Sequence, residues 1–203
     1  MNKEDTFNKD YDEESIDIQS LLSEFAYDDT FDDGISKDLS DFVIGHSLRT
    51  KTVSPEKPLV SSLDVAEYIL NKTGPISTMK LQKLVYYCQA WSLVWDENPI
   101  FYENIEAWAN GPVIRELFNY HRGMFQIEKV FTGNPALLNE TQIETIDAVL
   151  DFYGKKSAQW LIELSHNEEP WKQARRGLSE PERGSRVISL ESMAYYYSSL
   201  DDK

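Results

Sequence analysis

The sequence predicts a mostly α-helical protein: a single compact helical domain with a small β-hairpin, preceded by an acidic, partly helical N-terminal arm. Three observations favour this class. Apolar residues recur at helical spacing, a serine or threonine precedes most of these stripes, and glycine or proline separates them. We therefore expect residues 61–203 to form the helical domain and residues 1–60 to form an arm and linker.

The arm is distinguished by its charge. Of the formal net charge of −15, residues 1–60 contribute 15 acidic against 6 basic side chains. An apolar stripe with i, i+3, i+4, i+7 spacing runs through this acidic sequence and predicts a short helix, and a weaker stripe that includes Phe31 follows it. The first stripe consists of Ile18, Leu21, Leu22 and Phe25. Because helices this short are marginal alone, they should dock, either on their own domain or on a partner protein.

The first helices of the domain have clear local signals. One should begin near Ser62, capped by Ser61 or Ser62, and stop at Gly74. The strongest helix should follow a cap at Ser77 or Thr78. Its core stripe contains Leu81, Leu84, Val85 and Cys88, and its outward positions are Lys80, Lys83 and Gln89.

Later elements are predicted in the same way. In residues 96–110, Ile100-Phe101 and residues 105–108 could form a short hairpin or extended turns around Glu103-Asn104. Gly111-Pro112 should open a helix, because the fixed φ of proline suits a first helical position. A capping-box pattern at residues 141–144 predicts another helix. Pro170 should begin a short turn or helix. Ser189 should cap a last helix whose inward residues include Met193 and Leu200.

Composition excludes several classes of function. The strong negative charge disfavours direct nucleic-acid binding. One cysteine and three histidines cannot assemble the usual zinc patterns, and we expect neither a metal nor a cofactor. No apolar run approaches the length that spans a bilayer, and the acidic beginning is unlike a signal peptide. We therefore expect a cytoplasmic protein without membrane contact.

Catalytic machinery is sparse in the sequence. His166 and Glu169 stand three residues apart and could form an acid–base pair, but no nucleophile or oxyanion device lies near them in the sequence. The alternative is that His166 ends a helix and binds backbone across the next turn. We expect a protein that is not an enzyme.

Two further groups have both a structural and a functional interpretation. Trp171 and Arg175 are spaced i, i+4, so they could stack and present a partner-binding surface, or Trp171 could pack in the core. The segment 172–186 holds the one concentrated group of basic residues in the sequence. It could be a solvated loop or a dock for the acidic arm. Its members are Lys172, Arg175, Arg176, Arg183 and Arg186.

Four blocks of sequence carry a family resemblance. They are the run from Leu63 to Leu70, the run from Gly74 to Tyr87, Glu106-Ala107-Trp108 with Gly111-Pro112-Val113, and the segment from Ser165 to Arg175. In this order and spacing they resemble the Panacea domain, the family of SocA-like antitoxins and phage GepA proteins. The positions that match its motifs are Lys83, Trp108, Gly111, Pro112, Arg122, His166 and Pro170.

The resemblance implies a helical fold and action by direct binding rather than catalysis. It indicates an antitoxin that neutralises a cognate protein toxin, encoded in many cases on a prophage. The acidic arm, which the resemblance does not cover, favours a basic toxin. Two alternatives stay open: a proteolytic adaptor that delivers a toxin to an AAA+ protease, and a phage-encoded inhibitor of a host defence protein. Self-association also stays open.

Overall fold

The computed structural model of the protein describes residues 59–179 and 181–201. Within these residues lie seven α-helices, four short strands and a 3₁₀ turn at Pro135–Leu137. The helices are α1 (Ser62–Thr73), α2 (Thr78–Trp95), α3 (Arg115–His121), α4 (Glu140–Tyr153), α5 (Ala158–Asn167), α6 (Glu169–Ala174) and α7 (Leu190–Asp201). The strands are β1 (Ile76–Ser77), β2 (Ile105–Trp108), β3 (Gly111–Ile114) and β4 (Gln126–Ile127). The predicted mostly α-helical fold is confirmed.

The central element is α2, which is in contact with α1, α4, α5, α7 and β3. Its predicted cap is confirmed, because the Ser77 side chain accepts a hydrogen bond from the backbone N–H of Lys80. The prediction that Lys83 and Gln89 face outward is wrong, since both are fully buried. The reason is that neighbours surround α2, so its polar face is covered as well as its apolar stripe. Gln89 binds the backbone of Ile100 and Phe101 there.

Acidic side chains on α1 hold the loops that pass over it. Ser61 caps the helix in a capping box with Asp64. Asp64 also accepts a hydrogen bond of 2.6 Å from the backbone of Asn134. Glu67 accepts one from the backbone of Val130. These buried carboxylates are therefore structural parts of the domain.

The strands β2 and β3 form an antiparallel hairpin in which Trp108 is opposite Gly111 and Ile105 is opposite Ile114. The prediction of a helix starting at Pro112 is wrong: residues 111–114 are a strand, and the helix begins at Arg115. The predicted hairpin around Glu103-Asn104 is wrong as well, because residues 105–108 pair with residues 111–114 and the turn lies at Ala109-Asn110. The hairpin pairing determines the conformation here, and Pro112 can join it without a backbone N–H. A third segment adds to the hairpin, since Ile188 donates to the carbonyl of Ile105 at 2.8 Å.

Two smaller predictions also need correction. The capping box of α4 is formed by Asn139 and Gln142, two residues before the predicted one at 141–144. Leu200 is 37% exposed and does not belong to the core. The predicted arm residues Ile18, Leu21, Leu22, Phe25 and Phe31 lie outside the described residues. Among the residues that are described, no helix is both long and apolar enough to cross a membrane.

Candidate functional site

The motif residues converge on the β2–β3 hairpin. From α2, the buried Lys83 donates from Nζ to the carbonyl of Pro112 at 2.9 Å. Gln82, the residue before Lys83, accepts a hydrogen bond from the backbone N–H of Ile114 at 2.8 Å and donates one to the Ile114 carbonyl at 3.3 Å. Gln82 is fully buried as well. Polar side chains of the central helix α2 thus bind the backbone of strand β3.

Gly111 is required by this arrangement. Its φ of +100° lies in the region that favours glycine. A Cβ placed there would lie 2.7 Å from Nζ of Lys83 and 2.8 Å from Oγ of Ser165. The hairpin turn therefore approaches α2 and α5 so closely that a side chain at this position would have to displace Lys83 and Ser165.

His166 and Trp171 hold the hairpin turn from the other side. Their rings are stacked with centroids 4.1 Å apart at 13°, and Nε1 of Trp171 donates to the carbonyl of Trp108 at 2.9 Å. Burial, followed by the charges of Lys83 and Arg175, lowers the pKa of His166 to about 4. A hydrogen bond with the backbone of Ala109 opposes these effects. The imidazole is consequently neutral near pH 7, and its role in the structure is contact with the turn.

Arg175 connects strand β2 to the loop that follows α6. Its guanidinium donates to the carbonyls of Ala107 at 3.1 Å, Ser179 at 2.8 Å and Glu182 at 2.5 Å. It also lies 5.2 Å from the centroid of the Trp171 ring, which confirms the expected stacking. The idea that these two side chains present a surface is wrong for this structure, because Trp171 is 7% and Arg175 5% exposed. Their polar atoms bind the protein's own backbone.

The remaining motif residues, Trp108, Arg122 and Pro170, lie in the hairpin or at the ends of helices near it. The indole of Trp108 donates to Glu106 at 2.7 Å, and Arg115 forms a two-point ion pair with that carboxylate at 2.7 and 2.8 Å. Arg122 is the C-terminal cap residue of α3. Pro170 is buried in the first turn of α6, where a proline costs no hydrogen bond.

A second buried polar cluster was not predicted from the sequence. Glu168 precedes α6 and its carboxylate points inward, where it accepts hydrogen bonds from Tyr197 at 2.6 Å and Tyr87 at 3.2 Å. The hydroxyl of Tyr86 lies 3.2 Å from that of Tyr197, and it is the donor in this pair because Tyr197 gives its one proton to Glu168. Burial raises the pKa of Glu168 to about 7, although the two tyrosine hydrogen bonds act in the opposite direction. Since these residues are 29 to 111 positions apart, no local pattern could have revealed the cluster.

This pKa predicts a pH dependence of stability. Folding raises the pKa of Glu168 from 4.5 to about 7, so the folded state binds the proton more tightly than the unfolded state. The favourable contribution is complete below pH 4.5 and is lost as the pH rises to 7. Against a Glu168→Gln variant, the wild type should lose about 3 kcal/mol of unfolding free energy across this range. Urea denaturation of both proteins between pH 4.5 and pH 8 measures the difference.

The comparison with Glu168→Gln also removes an opposing effect. Burial lowers the pKa of His121 and of His166 from 6.5 to about 4. Their contribution is therefore present above pH 6.5 and is lost as the pH falls towards 4. Both histidines remain in the variant, so they cancel in the difference. A difference that stays constant with pH would contradict the placement of this carboxylate.

The arrangement defines a class of protein: a small helical domain in which buried polar side chains of the central helix bind a β-hairpin. In the part of the chain that the structure describes, no group of three His, Cys, Asp or Glu side chains is placed to hold a metal ion. Residues 81–172 match the family model described as the antitoxin SocA-like, Panacea domain. That segment runs from α2 into α6 and contains all seven motif residues. Neither the curated proteins nor the solved structures that were compared give a match.

Proposed function

We propose that this chain is the antitoxin of a toxin–antitoxin system and that it neutralises a cognate toxin by direct protein–protein binding. The observation that carries the proposal is the match of residues 81–172 to the antitoxin SocA-like, Panacea domain. The proposal includes action without a chemical step, in the cytoplasm.

The contacts of the motif residues support binding rather than catalysis. Lys83 binds a backbone carbonyl in the hairpin, Arg175 binds three carbonyls, and His166 stacks on Trp171 with a pKa lowered to about 4. A general base that works near neutral pH needs both a pKa close to 7 and contact with a substrate. His166 lacks the first. Glu168 lacks the second, because it is 3% exposed and its carboxylate binds Tyr87 and Tyr197. These residues act as internal anchors, which suits a rigid body that offers its surface to a partner.

The acidic arm supports the choice of partner. Residues 1–60 carry 15 acidic against 6 basic side chains, and opposite charge accelerates association and disfavours wrong partners. The apolar stripe of Ile18, Leu21, Leu22 and Phe25 has the spacing of a helix that fills a groove. In the proposal the Panacea domain is the scaffold, and the arm supplies specificity for a basic toxin.

Co-expression with the product of the adjacent reading frame tests this function. The full chain should restore growth and co-purify with the toxin, whereas a variant lacking residues 1–45 should do neither. Circular dichroism of the purified variant must show that its helices persist. The loss of function then comes from the missing arm and not from an unfolded helical domain.

Three outcomes would contradict parts of the proposal. A chain that never forms a complex with the neighbouring product would overturn the antitoxin function. Full rescue by the truncated chain would overturn the role of the arm. A toxin whose half-life falls when the chain is present would replace a blocking inhibitor by a proteolytic adaptor.

A further inference from the structure

A continuous group of aromatic side chains connects the C-terminal ends of α2 and α4 with the start of α5. We call it the aromatic belt and define it as Trp91, Trp95, Phe152, Tyr153 and Trp160. Trp91 and Trp95 are stacked at 4.8 Å, the Trp91 indole donates to the Tyr153 hydroxyl at 3.1 Å, and Tyr153 lies 4.7 Å from Phe152. Lys156 connects Phe152 to Trp160, at 5.6 and 4.8 Å from the two rings.

The belt is partly open to solvent. Phe152 is 59% exposed and Trp95 is 44% exposed, while Tyr153 and Trp91 anchor the group in the core. Aromatic side chains of this kind contribute most of the binding energy in protein interfaces. An aromatic surface that is anchored from below and open above is therefore suited to a docked apolar segment.

Lysines surround the belt. Lys155 and Lys156 follow α4 directly, Lys80 donates to the carbonyl of Gly154 at 2.8 Å, and Lys72 lies on the neighbouring α1. Lys72 is paired with Asp147 at 2.9 Å, Asp151 lies beside Lys155, and Asp96 and Glu97 directly follow Trp95 at the other end of the belt. Lys80 interacts favourably with the negative C-terminal end of α4. Lys155 and Lys156 lie beyond that end in the sequence. The positive charge is therefore concentrated at Lys155 and Lys156, beside the Phe152 and Trp160 end of the belt.

The same chain contains a segment of complementary composition. Residues 12–33 hold nine acidic side chains and no basic ones, together with the apolar stripe from Ile18 to Phe25. The segment lies outside the described residues, and only its sequence enters the argument. When extended, the chain between residues 33 and 59 can span up to about 80 Å. The length of α1 separates its first turn from Lys72, which is about 20 Å, so the belt is within reach.

We propose that the acidic segment of residues 12–33 docks in cis on the aromatic belt, with its apolar stripe on the rings and its carboxylates beside Lys155 and Lys156. Tethering raises the effective concentration of a segment to the millimolar range, so a contact that would be weak between separate molecules is occupied within one chain. The docked arm covers the exposed aromatic rings until a partner competes for it. Release of the arm is then a step in partner binding.

Carbodiimide cross-linking of the full chain tests the docking without any toxin, because this reagent joins a lysine to a carboxylate that touches it. Equal amounts of ¹⁴N- and ¹⁵N-labelled protein are mixed, and cross-linked peptides are identified by mass spectrometry. The arm should link to Lys155 and Lys156 within a single isotope. Lys129 is the matched control, since it also lies over an exposed phenylalanine, at 5.3 Å from the Phe131 ring.

A variant separates docking from charge attraction alone. Phe152→Ala removes an exposed ring while every lysine stays, and it should reduce the links to Lys155 and Lys156 by about fivefold. Phe131→Ala, which removes the ring of the control pair, should leave these links unchanged. Thermal unfolding of both variants shows that the helical domain is intact.

Each alternative result has a definite meaning. Links between the two isotopes would assign the belt to a second copy of the chain and overturn docking in cis. Links to Lys129 that match those to Lys155 and Lys156 would mean unselective charge attraction, which also overturns it. The absence of links to the belt lysines does the same. The antitoxin function is measured by growth and co-purification, so the two proposals can fail separately.

Discussion

Replacing Gly111 by alanine should destabilise the domain by about 3 kcal/mol. Two costs add up: a φ of +100° is strained for alanine, by about 1 kcal/mol, and the new methyl group meets atoms on two helices. The Cβ would lie 2.7 Å from Nζ of Lys83 and 2.8 Å from Oγ of Ser165, which costs about 2 kcal/mol more in a packed interior. The midpoint of urea denaturation and its slope measure the sum.

Gly123 provides the matched control for this substitution. Its φ is +81°, but a Cβ there has nothing within 4 Å. Gly123→Ala should therefore cost only the backbone strain, about 1 kcal/mol. Adding Ser165→Ala to the Gly111 variant should restore part of the stability, since one of the two close contacts disappears. Equal losses of stability in the two glycine variants would contradict the tight packing of Gly111 against Lys83 and Ser165.

The helices could be predicted from the sequence because their signals are local. Ser61 and Ser77 cap α1 and α2 as expected, and Gly74 ends α1. The burial of Lys83 could not be predicted in this way. Helical spacing assigns it to the polar face of α2, and only the distant hairpin, through the carbonyl of Pro112, makes that face an interior.

The hairpin shows where a local signal was misread. Gly111-Pro112 favours a helix start, although Asn110-Gly111 is also typical of a hairpin turn. Residues 105–108 and 111–114 are the paired strands on either side of it. Giving the Asn-Gly pair precedence over the proline would have predicted the strand. By contrast, the Glu168 cluster left no such signal, because Tyr87 and Tyr197 reach it from opposite parts of the chain.

Removal of the Arg175 side chain should have an effect as large as that of the glycine substitution. We expect Arg175→Ala to lower the free energy of unfolding by about 3 kcal/mol, because one buried carbonyl and two partly buried ones lose a charged hydrogen-bond donor. Those carbonyls belong to Ala107, Ser179 and Glu182. The Trp171 ring also loses the guanidinium above it. Thermal and urea denaturation provide the measurement.

Arg176→Ala is the control, since this neighbour has the same charge but is exposed and should change stability by less than about 0.5 kcal/mol. The pair also distinguishes a partner-binding role of Arg175 from a structural role. If Arg175 served mainly as a contact for a partner, its loss would weaken toxin binding and leave stability unchanged. If it is the internal clamp that the structure shows, stability falls first, and hydrogen exchange should increase in β2 and in residues 177–188 before it increases in α2.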